Sequence, residues 1–393
     1  MNSQAMRLIE VSNNKTKRAF HAVPQLIYAK DANWIPHLKQ DVDKTFDEDK
    51  NRLFKKGGLA KRWLVCDAEG KWVGRIAAFV NHKYSKGMKQ PTGGIGFFES
   101  TDDDQVADLL FDAAETWLKS KDMEAVDGPI NFGEKDKFWG LLTDNFTDLP
   151  SYGMNYNLPY YARIFEARGY QTYYEQYIFG RDVQLGVQEI FERKRAQIES
   201  KGCMKVVTAR DLTSEELASH FCTVYNNAWG GHHGFAKMPL KQAKRTVQAL
   251  KPVMDPDIIF FALDGDKPIA FYVNIPELNQ IFRHVNGNLN AFGKLKFLYH
   301  KWRGTPDIIV GLVFGIDREY HGQGVDGFLI DTAGKQMQAK GQYVKTTLTW
   351  IGDFNPKMIR IAENLGSVRT RTYKTLRKIF DPERPFERMP MAK

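Results

Sequence analysis

Two glycines one residue apart, Gly322 and Gly324, mark the stretch of this sequence best equipped for chemistry. They lie in His321-Gly322-Gln323-Gly324-Val325-Asp326, after the apolar run Ile308 to Ile316 and before a stretch with helical periodicity. A glycine loop that opens a helix points backbone N–H groups outward and lets an anion approach without β-carbons in its way. It also places that anion at the positive end of the helix dipole. The chemistry implied is phosphate binding. His321 can add a ring nitrogen to such a site. Asp326 falls in the first helical turn, where a carboxylate suits the dipole but repels a phosphate unless it points away. Elsewhere, His232 and His233 sit in the segment GGHHGF with no acidic or cysteine partner nearby, so no metal site is expected there.

The elements that must hold this loop can be read from periodicity. Ile308 to Ile316 is β-branched, almost unbroken in apolarity and bounded by Pro306 and Asp317, as a buried strand would be. Phe328, Leu329, Thr332, Ala333 and Met337 form one helical stripe that stops at Gly341, and a strand over Tyr343 to Ile351 follows. Strand, loop, helix and strand make a βαβ unit. Around it, a hairpin spans Ile258 to Ile275, a serine-capped helix spans Ser214 to Trp229, and a helix and strand at Asn355–Leu365 and Val368–Leu376 end the pattern.

The first half has the same order: a strand at Met6–Val11, a helix at Lys15–Lys30, a hairpin turning at Asp67 to Gly70, and a helix opened by Asp102-Asp103-Asp104. The turns at Asp67 and Asp264, and the glycines Gly169 and Gly366, are each 197 positions apart. A tandem duplication is expected, with residues 1–180 as one domain, 181–204 as a connector, 205–380 as the second domain and 381–393 as a tail. The fold class is α/β (α+β), each copy a mixed, mostly antiparallel sheet flanked by helices. The basic, aromatic insert Asn279 to Gly304 is expected to be an amphipathic helix packed across the domain boundary. The eight tyrosines between Tyr152 and Tyr177 read as packing.

Length and composition agree. A chain of 393 residues exceeds one ordinary core. Three scattered cysteines, no run of membrane-spanning length and an N-terminus without a signal-peptide core point to the cytoplasm. The net charge of +9 suits an anionic ligand; a nucleic-acid partner is compatible but not favoured over a merely basic surface.

Taken together, hairpin, strand, glycine loop, helix, strand, helix and strand resemble the GNAT (Gcn5-related) N-acetyltransferase superfamily. The stretches YNNAWGGHHGF, DPDIIFFALDGDKPIAFYVNIPELN and YNLPYYARIFEARGY resemble tandem-GNAT bacterial proteins. The resemblance implies acetyl-CoA, or another acyl-CoA, as co-substrate. The loop His321 to Asp326 would hold the pyrophosphate, Val313, Phe314, Gly315 and Ile316 would pair with the pantetheine arm, and Asn355 would contact the cofactor. It also places an acceptor site near His232, His233 and Trp229, and a water-bridged carboxylate at Glu277. Asp353 and Asp317, at strand ends, are further candidate bases. Three features depart from the family pattern: His321 and Asp326 replace its usual residues, and Ala362 stands where many members carry a proton-donating tyrosine. In the first half the loop is missing, and Asp102 to Asp104 would repel a phosphate. The function implied is an acyl-CoA-dependent N-acyltransferase acting on a small-molecule or peptide amine, with the cofactor in the second half. The alternatives are a catalytically silent tandem module and a tRNA-dependent aminoacyl transferase.

Overall fold

The computed structural model describes residues 6–230 and 237–391. Seven strands come from the first half of the chain: β1 (Arg7–Glu10), β2 (Leu59–Cys66), β3 (Trp72–Val80), β4 (Thr92–Ser100), β5 (Ala125–Gly128), β6 (Leu141–Leu142) and β7 (Gln171–Asp182). Seven follow from the second: β8 (Met204–Thr208), β9 (Ile259–Asp264), β10 (Lys267–Pro276), β11 (Ile308–Ile316), β12 (Lys345–Leu348), β13 (Ile351–Gly352) and β14 (Val368–Ile379). The helices of the first half are α1 (Asn14–Ile27), α2 (Lys39–Phe46), α3 (His82–Ser85), α4 (Asp104–Lys119) and α5 (Tyr161–Ala167). Those that follow are α6 (Glu189–Glu199), α7 (Ser214–Trp229), α8 (Leu240–Leu250), α9 (Asn279–Phe282), α10 (Ala291–Trp302), α11 (Val325–Lys340) and α12 (Pro356–Asn364).

All the strands join one sheet, ordered β1-β2-β3-β4-β5-β14-β7-β12-β11-β10-β9-β8, with β6 on β14 and β13 on β7. Neighbours are antiparallel except β4 with β5 and β11 with β12. The order is nearly symmetric about its centre, where the last strand of each half has crossed over. β14, from the end of the chain, pairs with β5, and β7 pairs with β12. In the sheet each copy is thus completed by the other's final strand. The two copies share one continuous sheet, with separate cores under α4 and under α11.

Local chemistry fixes the helices. Asp103 caps α4 through Gln105, and Thr213, rather than Ser214, caps α7 in a reciprocal pair with Glu216. Gly324 and Gly341, at φ of 85° and 66°, bound α11, a conformation with little cost only for glycine. Two expectations need correction. The strand expected over Tyr343 to Ile351 divides into β12 and β13: both pair with β7, but the register shifts by one residue between Thr347–Gly180 and Ile351–Tyr177, where the parallel pairing with β11 has also ended. The insert at Asn279–Gly304 is two helices rather than one: α9 packs across the boundary against Ile35, Leu38 and Tyr152 of the first half, whereas α10 buries Phe297 and turns most of its other apolar residues outward.

Candidate functional site

The site begins where β11 and β12 part. They pair in parallel from Ile308 and Lys345 only as far as Gly311 and Leu348. Beyond that point β11 continues against β10 alone, with Leu312 as an unpaired bulge residue between Gly311 and Val313. The Asp317 N–H donates to Ile269 on β10 (2.8 Å). By strand alternation, the backbone polar groups of Phe314 and Ile316 then point the other way, into the gap. This is an unpaired strand edge inside a cleft, able to hydrogen-bond an extended ligand. His321 already reaches it, its Nε2 lying 3.2 Å from the Ile316 carbonyl oxygen.

Three helices enclose this edge in a cleft of about 980 Å³. The glycine loop and the start of α11 form one end, with Gly322 at φ 74° and Gly324 at φ 85°. Asn355, Met358 and Ile361 of α12 and its cap form a wall, and Gln188, Phe191 and Lys194, on or beside α6, form another. Asn355 is occupied as the cap of α12, accepting the Met358 N–H (3.3 Å) while it lines the cleft. The Asp326 carboxylate is neutralised by Lys194 Nζ at 2.7 Å. That contact offsets the Asp326 charge and adds a cation beside the glycine loop. Lys194 was missed because the connector carries no motif; its helix is fixed by packing on α11, where Gly327 leaves room for the Lys194 side chain.

At the other end Leu312, Leu348, Thr349 and Trp350 line both the cleft and an adjoining second chamber of about 410 Å³. Both halves line it, with Leu38, Tyr152 and Met154 from one and Leu278, Phe282 and Leu289 from the other. Its lining is mainly apolar, and Glu277 stands in the wall, 2% exposed. One Glu277 oxygen accepts the N–H groups of Tyr152 (2.8 Å) and Asn279 (2.9 Å). Burial pushes the Glu277 carboxyl above its ordinary pKa, against the N–H groups of Asn279 and Tyr152 that hold it down. Trp350 is a second notable wall residue. Its indole N–H is buried and has no hydrogen-bond partner among the described residues.

The other expected site residues scatter. Gly315 turns its face to the Trp229 ring, so neither lines the cleft; both pack on the far side of the sheet with Phe271. Val325 is buried in the core, and Gln323 folds back onto the Glu319 carbonyl (2.7 Å). Asp317 is a buried cap that accepts a hydrogen bond from Asn227 (2.7 Å). Asp353 lies outside cleft and chamber, ion-paired with Arg388 of the tail. His232 and His233 lie outside the described residues. No cluster of metal-ligating side chains occurs among the described residues.

In the first half the same fork is closed. β4 and β5 also part, after Gly94, but the Ile130 N–H donates to the Ile95 carbonyl (2.7 Å) and fills the gap. The Tyr161 hydroxyl accepts the Ser100 N–H (3.0 Å), and Tyr160 donates to the Ser100 carbonyl (2.6 Å). Asp102 and Asp104 are held by Arg163 at 2.6 and 2.8 Å. A void of only about 30 Å³ is left beside the Glu99–Tyr161 cluster.

The fold is that of the GNAT N-acetyltransferases, present as a tandem. A tandem GNAT protein from the clavulanic acid biosynthesis pathway superposes with a TM-score of 0.53 at 9% identity, covering 96% of this chain and all of that one. A GCN5-related glucosamine N-acetyltransferase region of a fungal multi-domain β-N-acetylglucosaminidase gives the same score at 14% identity, over 95% of this chain and 38% of that one. No protein-family model matches the chain. In sequence, it is 27% identical over 376 residues to the protein YghO of Escherichia coli K12, covering 93% of each. It is 25% identical over 386 residues to the bacterial ceramide synthase of Caulobacter vibrioides, covering 95% of this chain and 97% of that protein.

Proposed function

We propose that the chain is an N-acyltransferase that takes its acyl group from acyl-CoA and passes it to an amine bearing a long apolar chain. The observation that carries this reading is the succession of glycine loop, open fork and adjoining apolar chamber, the last two sharing the wall Leu312, Leu348, Thr349 and Trp350. An acyl-CoA laid along it would put phosphates at Gly322, Gly324 and Lys194, the pantetheine arm against Phe314 and Ile316, and the thioester at the fork. The acceptor would then enter from the chamber. Its apolar lining, and the ceramide synthase among the relatives, favour a lipid-like amine and an acyl group longer than acetyl.

In the reaction the amine nitrogen attacks the thioester carbon, the C–S bond breaks, and the proton lost by nitrogen goes to Glu277 while the thiolate is protonated from solvent. A thiol leaves readily enough that the alanine at position 362 removes a helpful acid rather than an essential one. The unpartnered Trp350 N–H is suited to stabilise charge growing on the thioester oxygen, since a buried donor without a partner gains most from a developing anion. Trp350→Phe keeps the shape and removes that donor. It is expected to lower kcat by about 10²-fold with KM for acyl-CoA little changed; an unaltered kcat would remove Trp350 from the chemistry.

Lys194→Ala is expected to weaken acyl-CoA binding about fivefold, since Asp326 then faces the phosphates alone in a partly exposed site. Adding Asp326→Asn should recover most of the loss, a coupling that titration calorimetry on the two single variants and the double would expose. The overall reading is tested by titrating acetyl-CoA and long-chain acyl-CoA, then assaying amide formation with a long-chain amine. Failure to bind either CoA ester refutes it. Binding without transfer would favour the silent module to which Ala362 points.

A further inference from the structure

Five of the sixteen large hydrophobic residues exposed among the described residues lie on one twelve-residue helix, α10. They include Trp302 at 83% exposed, Phe292 at 76% and Leu295 at 63%. Spaced at 100° per residue, Phe292, Leu295, Leu298, Tyr299 and Trp302 fall within a stripe about 120° wide. Gly293 and Phe297, on the opposite side, face inward, and the Phe297 ring packs against Phe282 with centroids 5.6 Å apart. The outward stripe is therefore not an end left over from packing; it is a second apolar face that no described residue covers.

The charges around it are ordered. The same helical projection puts Lys294 and Lys301 along one margin of the stripe and Lys296 and Arg303 along the other. No acidic residue occurs from Asn279 to Gly304, which also holds Arg283. None of these five cations makes an ion pair among the described residues, although many other lysines and arginines of the chain do. An apolar stripe between two unneutralised cationic margins is the pattern by which a helix lies in the interface of an anionic bilayer, apolar side chains among the acyl chains and cations at the headgroup phosphates. A protein partner would need a matching acidic rim around an apolar groove; a lipid surface supplies both everywhere.

Position strengthens the argument. The cluster that α10 covers through Phe297 also contains Leu278, Phe282 and Leu289, which line the chamber. The helix thus packs behind the wall of an apolar chamber lined by both halves.

We propose that α10 seats the protein on an anionic lipid surface, with the chamber wall turned toward the bilayer. The docking does not require the cleft to be catalytic. Flotation of the full chain with phosphatidylcholine vesicles, with and without phosphatidylglycerol, tests it. Binding is expected only to the phosphatidylglycerol vesicles and should fall as salt rises. The surface variant Leu295→Ser/Leu298→Ser/Trp302→Ser, and separately Lys294→Glu/Lys296→Glu/Arg303→Glu, should each reduce partitioning at least about tenfold. Circular dichroism and acyl-CoA titration on the same samples establish that both variants are folded. The proposal is overturned if the wild-type chain stays unbound, or if folded variants float as well as wild type. It is also overturned if light scattering shows α10 buried instead between two copies, as a dimer that the serine variant dissociates, or if the cations bind tRNA while vesicles do not float the protein.

Discussion

Gly324→Glu is expected to abolish acyl-CoA binding while leaving the protein folded. Gly324 has φ 85° and caps α11. A side chain there imposes a backbone strain of about 1–2 kcal/mol. Space is not the obstacle, because an added β-carbon would meet Lys194 only at 3.5 Å, an ordinary contact. The larger effect is electrostatic. A carboxylate about 5 Å from a phosphate repels it by about 3 kcal/mol at an effective dielectric near 20. It would also draw Lys194 away from Asp326 and leave a second carboxylate uncovered. The two electrostatic terms correspond to a loss of at least about 10²-fold in affinity, whereas the strain, common to free and bound protein, lowers stability instead. Gly324→Ala separates the causes, since it carries the strain without the charge and should lose stability but little affinity. Calorimetric titration of wild type and both variants reads the difference. An unchanged affinity for acyl-CoA in Gly324→Glu would mean that the phosphates bind elsewhere.

The two halves differ at the same fork. Both copies keep a parallel pair that forks, after Gly94 in one and after Gly311 in the other. In the first copy Ile130 supplies the missing hydrogen bond and Tyr160 and Tyr161 cap Ser100. In the second, among the described residues only the His321 ring reaches the edge at Phe314 and Ile316, on one carbonyl. An open strand edge in the interior is a standing cost unless something pairs with it, and a cleft of about 980 Å³ beside it is room for that partner.

Much of this was legible in the sequence because it is local. An almost unbroken apolar, β-branched run located β11, and the glycines at 324 and 341 bounded α11 where the structure ends it. The 197-residue spacing disclosed the repeat. What was hidden depends on contacts far apart in sequence. The crossing of β7 and β14 leaves no trace in their composition, since a strand pattern does not say which neighbour it pairs with. Lys194 acquires meaning only where α6 lies on α11, and the chamber exists only where Leu38 and Tyr152 of one copy meet Phe282 and Leu289 of the other. Asp353 looked equivalent to Glu277 as a strand-end carboxylate, yet Arg388 holds it in a surface pair.

Glu277→Gln carries the second large effect, and it separates a catalytic carboxylate from a structural one. Glutamine keeps an oxygen to accept the Tyr152 and Asn279 N–H groups, which now bind the glutamate at 2.8 and 2.9 Å, but cannot take a proton. If Glu277 is the base, kcat should fall by about 10²–10⁴-fold. KM for acyl-CoA should stay constant, since Glu277 lines the chamber and not the cleft. In the wild-type protein the rate should rise with pH through a pKa above the ordinary glutamate range, because burial raises that of Glu277 and only the ionised form is a base. This lower limb should vanish in the variant. Stability moves the opposite way. With the folded pKa above the unfolded one, the native state holds the extra proton between the two values, so the contribution of Glu277 to stability is fully present below the unfolded pKa and lost as pH rises through the folded one. Glutamine cannot ionise, so thermal melts should show Glu277→Gln gaining on wild type as pH rises from 4 to 8, in the range where its activity is lowest relative to wild type. A variant that melts lower at neutral pH and retains wild-type kcat would make Glu277 a structural anchor for the Tyr152 and Asn279 backbone, and the base would have to be sought elsewhere in the chamber.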